Sequence, residues 1–101
     1  MSYTKKTPYR YTLGQTIKEL RLEKHLTLRE VSEKALVSLG HLSEIETGKK
    51  EASSEILDAV AEGIGVPLHE IVIEAGYRMG IRRGFLSTAD AELELDLALS
   101  R

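Results

Sequence analysis

Histidine and carboxylate side chains are the groups in this sequence that could do acid–base or metal chemistry, but their spacing favours neither. The three histidines, His25, His41 and His69, are scattered, and no nucleophile has a base at a catalytic spacing. The sequence contains no cysteine, which excludes disulfides, thiolate metal ligands and cysteine nucleophiles. We therefore expect no enzyme, no metal site and no cofactor, and these residue types favour non-covalent recognition instead.

Residues 38–50, "SLGHLSEIETGKK", carry the side chains best suited to recognition. Ser38 is a good helix cap and Gly48 a good helix stop. If the segment is a helix, Leu42 and Ile45 share its buried face. The outward positions are then Leu39, Gly40, His41 and Glu44, and Lys49 and Lys50 follow the helix end.

A second short helix precedes this segment and must position it. Thr27 and Glu30 have the spacing of a capping box, in which a hydroxyl and a carboxylate each bind a backbone N–H of the first turn. The helical pattern breaks at residues 36–37, so about three residues join the two helices, which is the helix-turn-helix layout. The buried face of this helix is formed by Leu28, Val31 and Ala35.

The remaining pattern predicts three more helices around this pair. The first begins near Thr12, because Thr12 and Gln15 also have capping-box spacing. The fourth follows Ser53 or Ser54 and ends at Gly65, and the fifth begins at Pro67. Further glycines are expected to loosen the chain beyond it, at Gly76, Gly80 and Gly84. The fold class is therefore all-α, with five helices and a C-terminal helix.

The segment 81–101 contains a leucine pattern that fits two structures. Leucines alternate with mostly acidic residues over 93–99, as in a strand, but the residue types are strong helix formers. Ser87 and Asp90 have capping-box-like spacing, so we predict a helix. One of its faces could pack on the domain and another on a second subunit; the alternative is intramolecular docking only. The residues expected to form a homodimer are Phe85, Leu86, Leu93, Leu95, Leu97 and Leu99.

Charge is distributed unevenly between the two halves of the chain. Residues 1–50 contain ten Lys/Arg and six Asp/Glu, whereas residues 51–101 contain four and ten. A basic half suits a polyanion, and residues 1–10 read as a flexible basic arm with Lys5, Lys6 and Arg10.

No apolar run approaches membrane-spanning length and no signal-peptide pattern opens the chain. We expect a cytoplasmic protein with no membrane partner and no room for a small-molecule effector site.

The segment from "LGQTIKELRLEKHLTLREVSEKALVSLGHLSEIETGKKEASSEIL" onward resembles the lambda-repressor-like, Xre-type helix-turn-helix family. The resemblance covers most of residues 11–75, and we place the DNA-binding domain at 11–80. It implies a five-helix fold, double-stranded DNA as the partner, and a partly buried ion pair between Arg21 and Glu46. It also places base-facing residues at the four outward positions named above. The matching features are Arg21, Leu26-Thr27, Val31, Ala35, Val37-Ser38, the segment 42–46 and Gly48-Lys49.

Each outward position has a chemistry that suits base edges in the major groove. Glu44 can accept a hydrogen bond from cytosine N4, His41 can donate to guanine or a phosphate, and Leu39 can pack on a thymine methyl. Gly40 lets the backbone approach closely. The alternatives are a solvated Glu44, a His41 that binds phosphate only and a Leu39 that packs internally.

Affinity must come from cations and helix starts, because Glu44 repels DNA. Many relatives have glutamine where Leu28 stands, and Arg29 could replace that contact. The full set of expected DNA-binding residues is Thr27, Leu28, Arg29, Ser38, Leu39, Gly40, His41, Glu44, Lys49 and Lys50.

Within the family, "LREVSEKALVSLGHLSEIE", "KKEASSE" and "PLHEIVIEAGYRMG" resemble actinobacterial regulators of Clp protease genes. This resemblance implies a dimeric activator that binds a near-palindromic operator, with RNA polymerase as a further partner and the nucleoid as its location when bound. Three alternatives stay open: an antitoxin, a phage-type repressor, and a protein-binding module that has kept the fold without binding DNA.

Overall fold

The computed structural model describes residues 8–100, which form six α-helices and no strand. The helices are α1 (Tyr9–Glu23), α2 (Leu28–Ala35), α3 (Leu39–Glu46), α4 (Ser54–Ile64), α5 (Leu68–Arg82) and α6 (Thr88–Leu99). The predicted fold class, five helices followed by a C-terminal helix, is confirmed. None of the helices in this part of the chain is both long and apolar enough to cross a bilayer.

A single apolar core lies among α1 to α5. α2 packs on α4, while α1 packs on both α3 and α5, and α6 packs on α5. The amphipathic patterns in the sequence create this arrangement, because each short helix must bury one apolar face against its neighbours. The largest fully buried apolar side chains are Ile17, Val31, Leu42, Ile45, Val60 and Ile71.

Side-chain caps begin four of the six helices. The hydroxyl of Thr27 accepts from the Glu30 N–H at 3.0 Å, and the Glu30 carboxylate accepts from the Thr27 N–H at 2.7 Å. Ser38, Ser53 and Ser87 each accept from the N–H three residues later. These caps satisfy backbone donors that the helix itself leaves unpaired, and they fix where α2, α3, α4 and α6 begin.

The start of α1 differs from the prediction. The helix begins at Tyr9 rather than near Thr12, and Thr12 is buried within it instead of capping it. Pro8 stands at the cap with φ −68°, an angle that already suits a helix start. Residues 9–10 therefore belong to the folded domain, and residues 1–7 of the predicted basic arm, with Lys5 and Lys6, lie outside the described residues.

The end of α5 also differs from the prediction. Gly76 and Gly80 do not loosen the chain, because α5 continues through both of them to Arg82. At Gly80 a Cβ would lie 2.7 Å from Leu86 Cδ1, so the glycine makes room for the turn that folds back over the helix. That turn contains Gly84 at φ +81°. The predicted domain boundary at residue 80 thus falls inside α5.

The leucine-rich tail is a helix, as predicted, and not a strand. Ser87 Oγ accepts from the Asp90 N–H at 3.1 Å, and Ala91 is buried where α6 packs on α5. The alternation of leucine with polar residues does not set the structure here, because strong helix formers and a cap outweigh a strand period that has no neighbouring strand.

Candidate nucleic-acid interface

The turn between α2 and α3 is held by one buried serine. Ser32 Oγ donates to the Val37 carbonyl oxygen at 2.6 Å, and the Ser32 carbonyl oxygen accepts from the Val37 N–H at 3.1 Å. Leu36 closes α2 in the left-handed conformation, at φ +57°. Two hydrogen bonds between Ser32 and Val37 therefore hold the turn that joins the two helices.

α3 separates an inward face from an outward face. Leu42 and Ile45 are fully buried, and Glu46 is buried beside them. On the other side Gly40 is exposed, while Leu39, His41 and Glu44 are half-buried. The four positions predicted to face outward are therefore more accessible than Leu42, Ile45 and Glu46, and their contact with DNA stays a prediction.

The inward acid of α3 is tied to α1. Arg21 Nε donates to Glu46 Oε2 at 2.8 Å and Arg21 Nη2 donates to Glu46 Oε1 at 2.9 Å, with the two side chains only 9% and 5% exposed. Arg21 Nη1 donates to the Leu26 carbonyl oxygen at 2.9 Å. The hydrogen bonds to Glu46 raise the pKa of Arg21 above its usual value, so the guanidinium stays protonated. This pair joins α1, the loop before α2 and the end of α3.

A close backbone approach supports the same contact. At Gly14 on α1, a Cβ would collide with the Ile45 and Glu46 carbonyl oxygens of α3. Only glycine fits this crossing. α3 thus rests directly on α1, and its outward face has little freedom to tilt.

The predicted cations lie around α3 in different environments. Arg29 is exposed in the first turn of α2, and Lys49 is exposed just after α3. Lys50 is different, because its Nζ lies 3.8 Å from Glu44 Oε1. Sequence spacing does not predict this pair, since residues six apart on a continuous helix do not face each other. Gly48, in the left-handed region at φ +76°, was the signal of the reversal that brings them together.

Three of the residues predicted to contact DNA at the helix starts have a structural role in the fold. The hydroxyls of Thr27 and Ser38 accept cap bonds, so these side chains position the helix starts. Leu28 packs against the core from its partly buried position and offers no polar side chain. The structure leaves Arg29 as the side chain of this group that extends from the surface.

Arg10 belongs to the domain rather than to a free arm. Its Nε donates to the Gly48 carbonyl oxygen at 2.9 Å, and its Nη1 lies 3.7 Å from Glu51 Oε2. It therefore braces the chain that follows α3. The sequence does not predict this role, because residues 1–10 have no apolar period and contain Pro8.

The C-terminal segment divides its apolar residues between two environments. Leu86, Leu95 and Leu99 are half-buried, whereas Phe85, Leu93 and Leu97 are each at least 60% exposed. An open apolar groove beside them is lined by Val72, Ile73, Gly76, Tyr77, Leu86 and Ala98.

α5 is held on α1 by two arginines. Arg78 Nη2 bonds Glu19 at 2.8 Å and Glu74 at 3.1 Å, and Arg82 Nη2 donates to Gln15 Oε1 at 3.2 Å. The Arg82 guanidinium also lies over the Tyr11 ring, 5.1 Å from its centre. These contacts join α5 to α1.

Comparison with known proteins gives the fold a family. Residues 17–71 match the family model described as helix-turn-helix. The transcriptional regulator ClgR of Mycobacterium tuberculosis is 49% identical over 70 residues, which are 69% of this chain and 62% of the relative. The chain thus spans less than two thirds of that relative's length.

Two further comparisons extend the similarity. The crystal structure of the clp gene regulator ClgR from Corynebacterium glutamicum has a TM-score of 0.73 at 34% identity, covering 94% of this chain and 98% of the other. An immunity repressor protein of Bacillus phage phi105 is 40% identical over 63 residues, which are 62% of this chain and 44% of the relative. The helix pair and the capped α3 agree with these similarities. The chain therefore belongs to the Xre-type helix-turn-helix family of DNA-binding transcriptional regulators and is similar to its ClgR-type members.

Proposed function

We propose that this protein binds duplex DNA at a specific sequence, with α3 in the major groove. The observation that carries the proposal is the two-sided character of α3. Leu42, Ile45 and Glu46 are buried, whereas Gly40 is exposed and Leu39, His41 and Glu44 are only half-buried. In helix-turn-helix proteins the N-terminal part of the second helix contacts base edges. A rigidly held helix with a polar outward face fits that role.

Glu44 and His41 are the proposed base-reading residues. The Glu44 carboxylate accepts a hydrogen bond from cytosine N4 and is repelled by the acceptors of other bases, so it selects by rejection as well as by attraction. His41 donates to a guanine acceptor, Leu39 packs on a thymine methyl, and Gly40 allows close approach. Arg29 and Lys49 supply charge for the phosphates, together with the backbone N–H groups at the starts of α2 and α4.

The protein acts as a homodimer in this proposal. Phe85, Leu93 and Leu97 are large apolar side chains that stay exposed in the C-terminal segment, and exposed apolar patches mark interaction sites. The opposite side of α6 already packs on α5 through Ala91, so intramolecular docking does not use the exposed side. A dimer presents two recognition helices about 34 Å apart, which requires a near-palindromic operator.

The regulated genes are proposed to be those for the Clp protease and related proteolysis functions, with activation through RNA polymerase on the nucleoid in the cytoplasm. Support comes from the ClgR relatives, one of which is described as a clp gene regulator. A repressor is the second candidate, and the similarity to a phage immunity repressor favours it.

Selection of bound duplexes from a random DNA library tests the binding proposal. The expected product is a near-palindrome with half-sites one helical turn apart. Recovery of no preferred sequence would overturn it. A reporter gene behind the selected site then separates the two modes of regulation: loss of the protein lowers expression for an activator and raises it for a repressor.

A further inference from the structure

The chain reverses direction immediately after α3 and returns along its last turns. The Glu44 carbonyl oxygen accepts from the Lys49 N–H at 2.9 Å and from the Lys50 N–H at 3.2 Å. Thr47 Oγ1 donates to the same oxygen at 3.3 Å. The backbone of Glu44 is therefore the anchor for the segment that carries both lysines.

This reversal brings Lys50 to the side chain of Glu44. Lys50 Nζ lies 3.8 Å from Glu44 Oε1, and the side chains are 59% and 44% exposed. Lys49 is its neighbour in sequence and is also exposed, yet it forms no ion pair with another residue in the range 8–100. Of the two adjacent lysines that follow α3, Lys50 contacts the Glu44 carboxylate and Lys49 does not.

We propose that Lys50 is a positioning residue that sets how strictly Glu44 selects its base. The inference rests on the proposed function, in which Glu44 faces the major groove. The ammonium of Lys50 offsets part of the carboxylate charge, so bases without a donor are tolerated better than they would be against an uncompensated Glu44. Lys49, in contrast, supplies only charge for the phosphates.

The physical reason lies in the change of surroundings when α3 enters the groove. An exposed ion pair contributes little in water, because solvent screens it. Exclusion of water from the interface lowers the effective dielectric constant and strengthens the interaction of Glu44 with every neighbouring charge. Without Lys50, the carboxylate meets guanine and thymine acceptors uncompensated. Opposite cytosine, the N4 donor still satisfies it.

The test compares Lys50→Met with Lys49→Met on two DNA duplexes. One duplex is the sequence selected by the wild-type protein, and the other has the cytosine opposite Glu44 replaced by thymine. Lys49→Met should weaken binding to both duplexes by the same factor. Lys50→Met should weaken binding to both and widen their affinity ratio by roughly twofold to fivefold, the range expected for loss of an exposed to partly buried ion pair.

Two further variants separate this role from loss of a cation. Lys50→Arg retains the charge and should retain the wild-type ratio. In a Glu44→Ala background, Lys50→Met should leave the affinity ratio unchanged, because the group that Lys50 offsets is absent. Circular dichroism checks that each variant is folded, which the exposure of Lys50 leads us to expect.

The outcomes distinguish the inference from the proposed function. If Lys50→Met and Lys49→Met alter the ratio equally, the inference is wrong while the role of Glu44 stands. If Glu44→Ala retains the wild-type preference, Glu44 reads no base, and both the proposed role of Glu44 and the inference about Lys50 are wrong. If the wild-type protein selects no sequence, the proposed function itself is overturned.

Discussion

Arg21 on α1 and Glu46 in the last turn of α3 form a buried, two-bond ion pair, with distances of 2.8 and 2.9 Å. A third bond from the same guanidinium, to the Leu26 carbonyl oxygen, reaches the loop before α2. One side chain on α1 therefore joins α3 and the loop before α2. The orientation of the outward face of α3 depends on this contact.

Removing one partner of this pair should strongly destabilise the fold. Glu46→Ala leaves the Arg21 guanidinium buried without its counter-charge, and we expect a loss of roughly 3–5 kcal/mol in the free energy of unfolding. Urea denaturation measures it. The matched control is Glu19→Ala, which removes the exposed partner of Arg78 and should cost at most about 1 kcal/mol. Equal losses for the two variants would contradict a special role for Arg21 and Glu46.

Two glycine substitutions should have opposite effects. Gly14→Ala forces α1 away from the Ile45 and Glu46 carbonyl oxygens. It should lower the free energy of unfolding by about 1–3 kcal/mol and weaken DNA binding. Gly76→Ala adds a methyl group into open space within α5 and should stabilise it by about 0.5–1 kcal/mol. Thermal unfolding of both variants provides the comparison. A neutral Gly14→Ala would mean that α1 and α3 can separate at no cost.

The parts of the fold that were predictable are those that depend on local chemistry. The caps at Thr27 and Ser38 follow from side chains that bind N–H groups three residues away, so a short window of sequence contains them. The start of α1 was mispredicted because the Thr12 and Gln15 spacing also occurs inside a helix, where Thr12 is buried. Pairing of Lys50 with Glu44 depends on a chain reversal in three dimensions, and spacing alone does not reveal it.

The apolar surface of α6 gives a prediction about assembly. Leu93→Gln combined with Leu97→Gln should raise the dimer dissociation constant by at least about tenfold, because each leucine loses apolar area that a partner would bury. Sedimentation velocity over a range of concentrations measures it. Glu92→Gln with Asp96→Asn, on the same helix, is the control and should leave the dimer intact. A wild-type protein that sediments as a monomer at all concentrations would rule out the proposed homodimer.

Arg29 should contribute to affinity without contributing to sequence preference. It is exposed in the first turn of α2, where a guanidinium can reach a phosphate. Arg29→Ala should weaken binding by a similar factor on all duplexes and reduce the slope of log affinity against log salt concentration by about one. Titrations at several salt concentrations test this. An unchanged slope would remove Arg29 from the interface.

The base selected by Glu44 is the central claim, and parallel selections with the wild-type protein and with Glu44→Ala test it most directly. The wild-type protein should recover a near-palindrome with cytosine at one fixed position in each half-site. Glu44→Ala should recover the same half-site with that position relaxed to several bases, because the carboxylate that accepts from cytosine N4 and rejects acceptors is gone. An identical preferred sequence from the two proteins would contradict the account.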